Sequence, residues 1–319
     1  MLRINHVTPQ TRKYHETTDP LETEIGRDYR PDTVSRMNDE LSADLEPIAP
    51  DPAPVVTAEA AAPAVPGVPG LPGAEGASAA AARPPAAIFA LMQAIAVCGI
   101  PTQVIVAAGL ILVVGMAPMT VEGLSLEFIA TVSFLDTALV ALLIRLFLGL
   151  SGENSRDVYL GKRPVLGEIG RGLALVPITF LVVVGLVSAV RAIAPWLHNV
   201  KVSPLEAFMR NPLDAAIFLV VVVLAGGVRE ELQRGFILHR FGQRLGGMWV
   251  GNLTFGLAFG LLHFDQGWDV ALVIGLLGLA WGAFFIRRGS VMISVANHAG
   301  FNAAQVLQQV LVTSLGIGK

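Results

Sequence analysis

The sequence predicts an all-α polytopic membrane protein with about seven transmembrane helices and a disordered N-terminal tail, and three observations predict it. Hydrophobic residues make up 53% and charged residues 15% of the 319, whereas soluble domains carry about 25% charged residues. Beyond residue 87, apolar stretches of spanning length recur, a span needing about 20 residues. These stretches are long and continuous. They lack the alternation of a membrane barrel, and helices or closed barrels are the structures that satisfy the backbone in lipid.

Residues 1–87 read as a disordered tail on the cytoplasmic side. Residues 1–46 mix charges, Pro and Thr with little apolar periodicity. Residues 47–87 are dominated by Ala and Pro, and repeated Pro removes backbone donors and blocks helix. Such a segment buries too little apolar surface to offset its ordering entropy. Through Arg83 the chain has 7 Lys and Arg against 13 Asp and Glu, and the remainder has 15 against 12. An acidic tail thus precedes a mildly basic apolar body. No dense Lys/Arg face points to a nucleic-acid partner. The first twenty residues lack an apolar core, so a cleaved signal peptide is not expected. Cys98 is the one cysteine, which excludes an intramolecular disulfide and reads as a small packed hydrophobe.

The transmembrane domain is expected over residues 88–319. Its spans are read as about 88–116, 126–149, 172–194, 213–235, 249–264, 269–286 and 291–315, the fifth being short. Pro101 should kink the first and Pro177 the third. The segment 153–171, with Arg156, Lys162, Arg163 and Arg171, should lie at the membrane interface. Lys and Arg also cluster before the first span (Arg83), after the fourth (Arg240, Arg244) and after the sixth (Arg287, Arg288). Glu122, Asp265 and Asp269 mark loops of the other side, with Lys201 and Arg210 as exceptions. The positive-inside rule then places the N-terminus in the cytoplasm and the C-terminus outside. No internal inverted repeat supports a secondary transporter.

Ionisable groups within spans are costly, so each is a functional candidate. Three clusters fall in the last four spans. The first is Gly226-Gly227-Val228-Arg229-Glu230-Glu231-Leu232-Gln233-Arg234. Glu230 and Arg234 are four apart and share a helix face, which suits an ion pair, while Glu231 points about 100° away. The second is Phe259-Gly260-Leu261-Leu262-His263. The third is His298-Ala299-Gly300-Phe301-Asn302, where His298 and Asn302 share a face and present two donors to one point, as an oxyanion hole requires. At 1.5 Å per residue, Glu230 lies about 15 Å below Arg240, His298 about 14 Å below Gly289 and His263 about 21 Å from Trp249. One buried polar site shared by three helices is consistent with these depths. Asp136 in the second span is a further intramembrane carboxylate and reads as a helix–helix hydrogen-bonding group.

The three clusters together resemble the motifs of the CPBP family, the CAAX-protease and bacteriocin-processing (Abi) intramembrane endopeptidases. That family shows Glu-Glu-x-x-x-Arg, Phe-x-x-x-His and His-x-x-x-Asn/Asp on successive spans. Phe259–His263 fits the second motif and His298–Asn302 the third. Trp281–Ser290 also resembles the helix and turn that precede the third motif, and the similarity covers about 172–310. The first motif departs from the pattern. Aligning Arg234-Gly235-Phe236 puts Glu230 on the second Glu and Arg229 on the first, the position that activates water in the family; aligning the Glu230-Glu231 pair instead makes the Glu-to-Arg spacing one residue short. The resemblance implies a glutamate-type intramembrane peptidase. Glu230 or Glu231 would act with His263 as the base, His298 with Asn302 as the oxyanion hole, and Arg234 as the ion-pair partner of the Glu. No cofactor is implied. A Zn²⁺ would take Glu230, His263 and His298, although no His-Glu-x-x-His run is present. The implied partners are a membrane-associated peptide or protein substrate and the lipid bilayer, in a bacterial inner or plasma membrane. The alternative reading is a catalytically inactive CPBP-like protein that binds peptides or membrane proteins, because Arg229 replaces a carboxylate. Of the two carboxylates, Glu230 is expected to matter more, because it shares a face with Arg234.

Two outcomes are expected from the sequence. Deleting residues 1–80 leaves the membrane domain folded and inserted, and loss of monodisperse protein on that deletion would contradict this. Cysteine-accessibility labelling finds residues 40 and 319 on opposite sides of the membrane, and labelling from one side would overturn the topology.

Overall fold

The computed structural model describes residues 84–121 and 123–316. The expectations for the tail through Arg83, for Glu122 and for residues 317–319 lie outside the described residues. Everything below concerns the unit Gly73–Lys319.

The described chain is almost entirely helical. Helices α1 (Ala87–Val97) and α2 (Ile100–Gly109) are followed by a wider π-turn, Leu110–Val114. A two-residue hairpin, Met119–Thr120 with Gly123–Leu124, leads to α3 (Leu126–Leu150). Short α4 (Ser155–Tyr159) precedes α5 (Val165–Ile193). Next come α6 (Pro212–Val221), a π-helical segment Val222–Arg229 and α7 (Glu230–Arg244), which together form one long rod. The chain ends with α8 (Met248–Leu261), α9 (Trp268–Arg288) and α10 (Met292–Ser314).

Each stretch read as a span contains helix, but their lengths differ. Four helices are long and apolar enough to cross a membrane, or five if the bent pair Ala87–Val97 and Ile100–Val114 counts as one. Helix α8 has 14 residues, below the roughly 20 of a span. Helix α10 is long enough, at 23 residues, but its polar face keeps it out of the apolar set. The bend in the first stretch is 47°. It falls at Gly99, whose φ of 96° suits glycine, with Pro101 in the first turn of α2. Pro177 sits inside an unbroken α5, which begins at Val165, seven residues before the expected 172.

The burial pattern is that of a bundle solvated by lipid. Leu112, Val113, Leu166 and Leu181 are more than two-thirds exposed on helix faces. A water-soluble monomer rarely shows such continuous apolar surface. Together with four helices long and apolar enough to cross a bilayer, it makes the chain an integral membrane protein.

Inside, three apolar clusters hold the helices. Val97, Val140, Leu148, Phe236 and Val291 join α1, α3, α7 and the start of α10. Phe208, Phe218, Val221 and Val306 close the opposite end. Phe259, Trp281 and Phe301 pack in between. Small residues let backbones approach, as is common where lipid removes the hydrophobic drive between helices. A Cβ on Gly260 would lie 2.8 Å from the Ala271 carbonyl of α9, so α8 and α9 touch there backbone to backbone.

Polar clasps fix the loops. Tyr159 donates to the Leu232 carbonyl (3.1 Å), and its own carbonyl accepts from Val291 N–H (2.8 Å). Glu153, in the α3–α4 loop, accepts from His239, Arg240 and Gln243 of α7. Arg240 is fully buried and also donates to Gln93 of α1. Burial pushes the Glu153 carboxyl up, but hydrogen bonds from those three side chains outweigh it and hold it below the ordinary carboxylate value. A depressed carboxylate stabilises the fold above its unfolded value and loses that contribution as pH falls through the folded one. The thermal midpoint of purified protein should therefore fall as pH drops below about 4.5. Glu153→Gln should lower the midpoint at pH 7 by at least about 2–4 °C and flatten this acid-dependent decline. Equal midpoints at pH 7 would dissociate Glu153 from the clasp.

Candidate active site within the helix bundle

The π-helical segment sets the site's geometry. One extra residue per turn over Val222–Arg229 widens the helix just before the Glu pair, and such bulges are frequent at functional sites. Gly226 and Gly227 within it let α10 come close. A Cβ on Gly227 would lie 2.5 Å from the Ala299 Cβ, and one on Gly226 2.6 Å from Asn302 Nδ2. His298 is thereby laid against the carboxylates of α7, and Asn302 against the π-helical segment.

Glu231 is the buried centre of the arrangement, at 1% exposure. Its Oε1 accepts from Arg234 Nη1, three residues along the same helix, and from His298 Nδ1 at 2.9 Å. Arg234 is equally buried, and its guanidinium lies over the rings of Phe255, Phe259 and Trp281. Cation–π contact in a desolvated place contributes on the order of 2 kcal/mol. This contact accounts for the guanidinium nitrogens Nε and Nη2, which have no hydrogen-bond acceptor.

The predicted Glu230–Arg234 pair is corrected here. Positions three and four apart both neighbour a helical residue, and the guanidinium takes Glu231 at i−3. Glu230 turns the other way. Its Oε1 is 3.4 Å from Arg229 Nη2, and its Oε2 is 3.8 Å from His298 Nε2. Its side chain keeps 16% exposure against 1% for Glu231.

His298 therefore stands between two carboxylates. The Glu231 oxygen is an acceptor, so Nδ1 carries a proton and the ring turns Nε2 toward Glu230; in the neutral tautomer this Nε2 is the basic nitrogen. A water bonded to both Nε2 and Oε2 at about 2.8 Å each would sit to one side of their 3.8 Å line. Trp281 stacks on the imidazole, with centroids 3.6 Å apart and planes 17° apart. Its indole N–H donates to Asn297 Oδ1 (2.9 Å), which also accepts from Thr179 (3.1 Å), while Asn297 Nδ2 donates to the Gly172 carbonyl (3.1 Å).

His263 and Asn302 take backbone carbonyls as their hydrogen-bond partners. His263, at the end of α8, makes no hydrogen bond or ion pair with Glu230 or Glu231. Its Nδ1 lies 2.7 Å from the Phe259 carbonyl, an acceptor, so its Nε2 is the basic nitrogen. Phe259 touches both histidine rings, at 4.8 Å from His263 and 6.1 Å from His298. Asn302 Nδ2 donates to the Val222 carbonyl at 3.1 Å. Among the described residues no three His, Cys, Asp or Glu converge as metal ligands, and Glu230, His263 and His298 are not brought together as such a set.

Several participants escape the motif reading. Trp281 and Asn297 support His298, and the signal for Asn297 is only its place beside that histidine. Asp136 pairs with Arg229. Two opposite charges buried in apolar helices carried that signal, since neither is stable there alone.

Comparison with known proteins adds the family. No curated protein and no solved structure gives a significant match to the chain. Residues 212–304 match the model described as type II CAAX prenyl endopeptidase Rce1-like, and they contain all three clusters. The segment 212–304 is thus similar to the Rce1-like type II CAAX prenyl endopeptidases, the family of CPBP type that its motifs resemble.

Proposed function

We propose that this chain is an intramembrane endopeptidase that hydrolyses a peptide bond with water activated by Glu230 and His298. The observation that carries the reading is His298 held 2.9 Å from Glu231 and 3.8 Å from Glu230, inside the family-matched segment.

In this mechanism Glu231 and Arg234 are the fixed part. Their charges neutralise one another, and the carboxylate fixes the imidazole tautomer. Water lies between His298 Nε2 and the more open Glu230 carboxylate and loses its proton to them as it attacks the peptide carbonyl. The proton then passes to the leaving amine. His263, with a basic Nε2, and Asn302, once its amide leaves the Val222 carbonyl, are the groups available to the tetrahedral intermediate. His263 stabilises its oxyanion when protonated, and Asn302 does so through its N–H. The mechanism draws on water and the side chains of this chain. The substrate is a membrane-associated peptide or protein that reaches the site within the bilayer. We place the protein in a bacterial inner or plasma membrane with a cytoplasmic N-terminus. Seven spans, with α8 and α10 crossing beside longer helices, fit that topology.

Cleavage of a membrane-inserted peptide by purified protein tests the reading. Glu230→Gln should lower kcat by about 10²–10⁴ and leave the thermal midpoint near wild type. Glu231→Gln should cost stability as well, on the order of 3–5 kcal/mol, because it leaves Arg234 buried and unpaired. Full activity in Glu230→Gln would replace this reading with the peptide-binding one.

A further inference from the structure

Arg229 is an unusual neighbour for a catalytic carboxylate. It is 6% exposed and adjacent in sequence to Glu230. A free guanidinium there would close on that carboxylate and remove it from chemistry. Two groups on other helices hold it instead. Asp136 of α3, fully buried, takes Nη1 in an ion pair. Gln103 of α2, with its amide turned as its neighbours require, accepts from Nη1 at 2.7 Å and Nη2 at 3.1 Å. Glu230 is left with a contact of 3.4 Å to Nη2. That is long for a charge-assisted bond, which is usually about 2.7–2.9 Å.

We infer that Asp136 and Gln103 are positioning residues that hold the Arg229 guanidinium away from Glu230 and so keep that carboxylate open. The inference deepens the protease reading and rests on it for its consequence in catalysis. Charge balance supports it. Asp136, Glu230 and Glu231 supply three carboxylates, whereas Arg229 and Arg234 supply two fixed cations, all within apolar helices. Pairing Asp136 with Arg229, and Glu231 with Arg234, leaves Glu230 as the carboxylate without a dedicated cation. It then faces the imidazole of His298. Removing the Asp136 charge would hand Arg229 to Glu230. An ion pair that merely joined α3 to the α6–α7 rod would show no such exchange.

The test uses full-length protein and two readouts. The first is modification of Glu230 by dicyclohexylcarbodiimide at pH 6, followed by peptide mass spectrometry. This reagent enters the bilayer and reacts with intramembrane carboxyls. Asp136→Asn should cut Glu230 modification at least five-fold, Gln103→Leu should cut it less, and Asp136→Asn with Arg229→Gln should restore it. The second readout is peptide cleavage, where kcat should follow the same order at nearly constant KM. Labelling reads Glu230 whether or not the protein cleaves a peptide, so it separates failure of this inference from failure of the protease reading. The double variant removes both buried charges together, so neither is left unpaired. If Asp136→Asn is not monodisperse, Gln103→Leu with and without Arg229→Gln carries the same comparison. Unchanged Glu230 labelling in Asp136→Asn or Gln103→Leu overturns the inference. So does a double variant that labels as poorly as its parent.

Discussion

Much of this site depends on the Arg234–Glu231 ion pair, buried where neither charge is tolerated alone. Removing two ions from water costs several kcal/mol each, and mutual attraction repays that only when the remaining polar atoms also find partners. Here they do. The guanidinium rests on Phe255, Phe259 and Trp281 from α8 and α9, and the carboxylate accepts from His298 of α10. One ion pair thus ties four helices to a point. The π-helical segment and its glycines follow from the same need, since α10 must approach α7 closely enough for the imidazole to reach Glu231.

A second buried pair completes the charge arrangement. Where the alignment on Arg234-Gly235-Phe236 would put a first carboxylate of the motif this chain resembles, it carries Arg229. A lone cation at that place would be ruinous. Asp136, on a helix outside the matched segment, supplies the missing negative charge, so the substitution and its compensation lie 93 residues apart. The two pairs split the polar interior. One orients the histidine, and the other isolates Glu230.

The sequence made the helical membrane architecture legible, because runs such as 126–149 and 269–286 leave little choice of environment. It also marked Glu231, His298 and Asn302, since polar groups at helical spacing stand out against apolar spans. Three kinds of information were missing. Helical spacing of four and of three are nearly equivalent for an ion pair, so the partner of Arg234 required coordinates. A π-helical insertion leaves no periodic signature strong enough to fix the register of Glu230. Contacts between distant helices, such as Trp281 on His298 or Asp136 on Arg229, are packing facts that no local pattern encodes. The hydrogen bond of His263 to the Phe259 carbonyl, rather than to a carboxylate, belongs with these.

The protease account rests on His298 as the group through which both carboxylates act. The most direct measurement is single-turnover cleavage of a membrane-inserted peptide in lipid nanodiscs, comparing wild type with His298→Ala. The account predicts a rate lower by at least about 10² in the variant, the low end for losing a general base, with substrate affinity and helical content preserved. Equal rates would contradict it and would remove His298 from the chemistry.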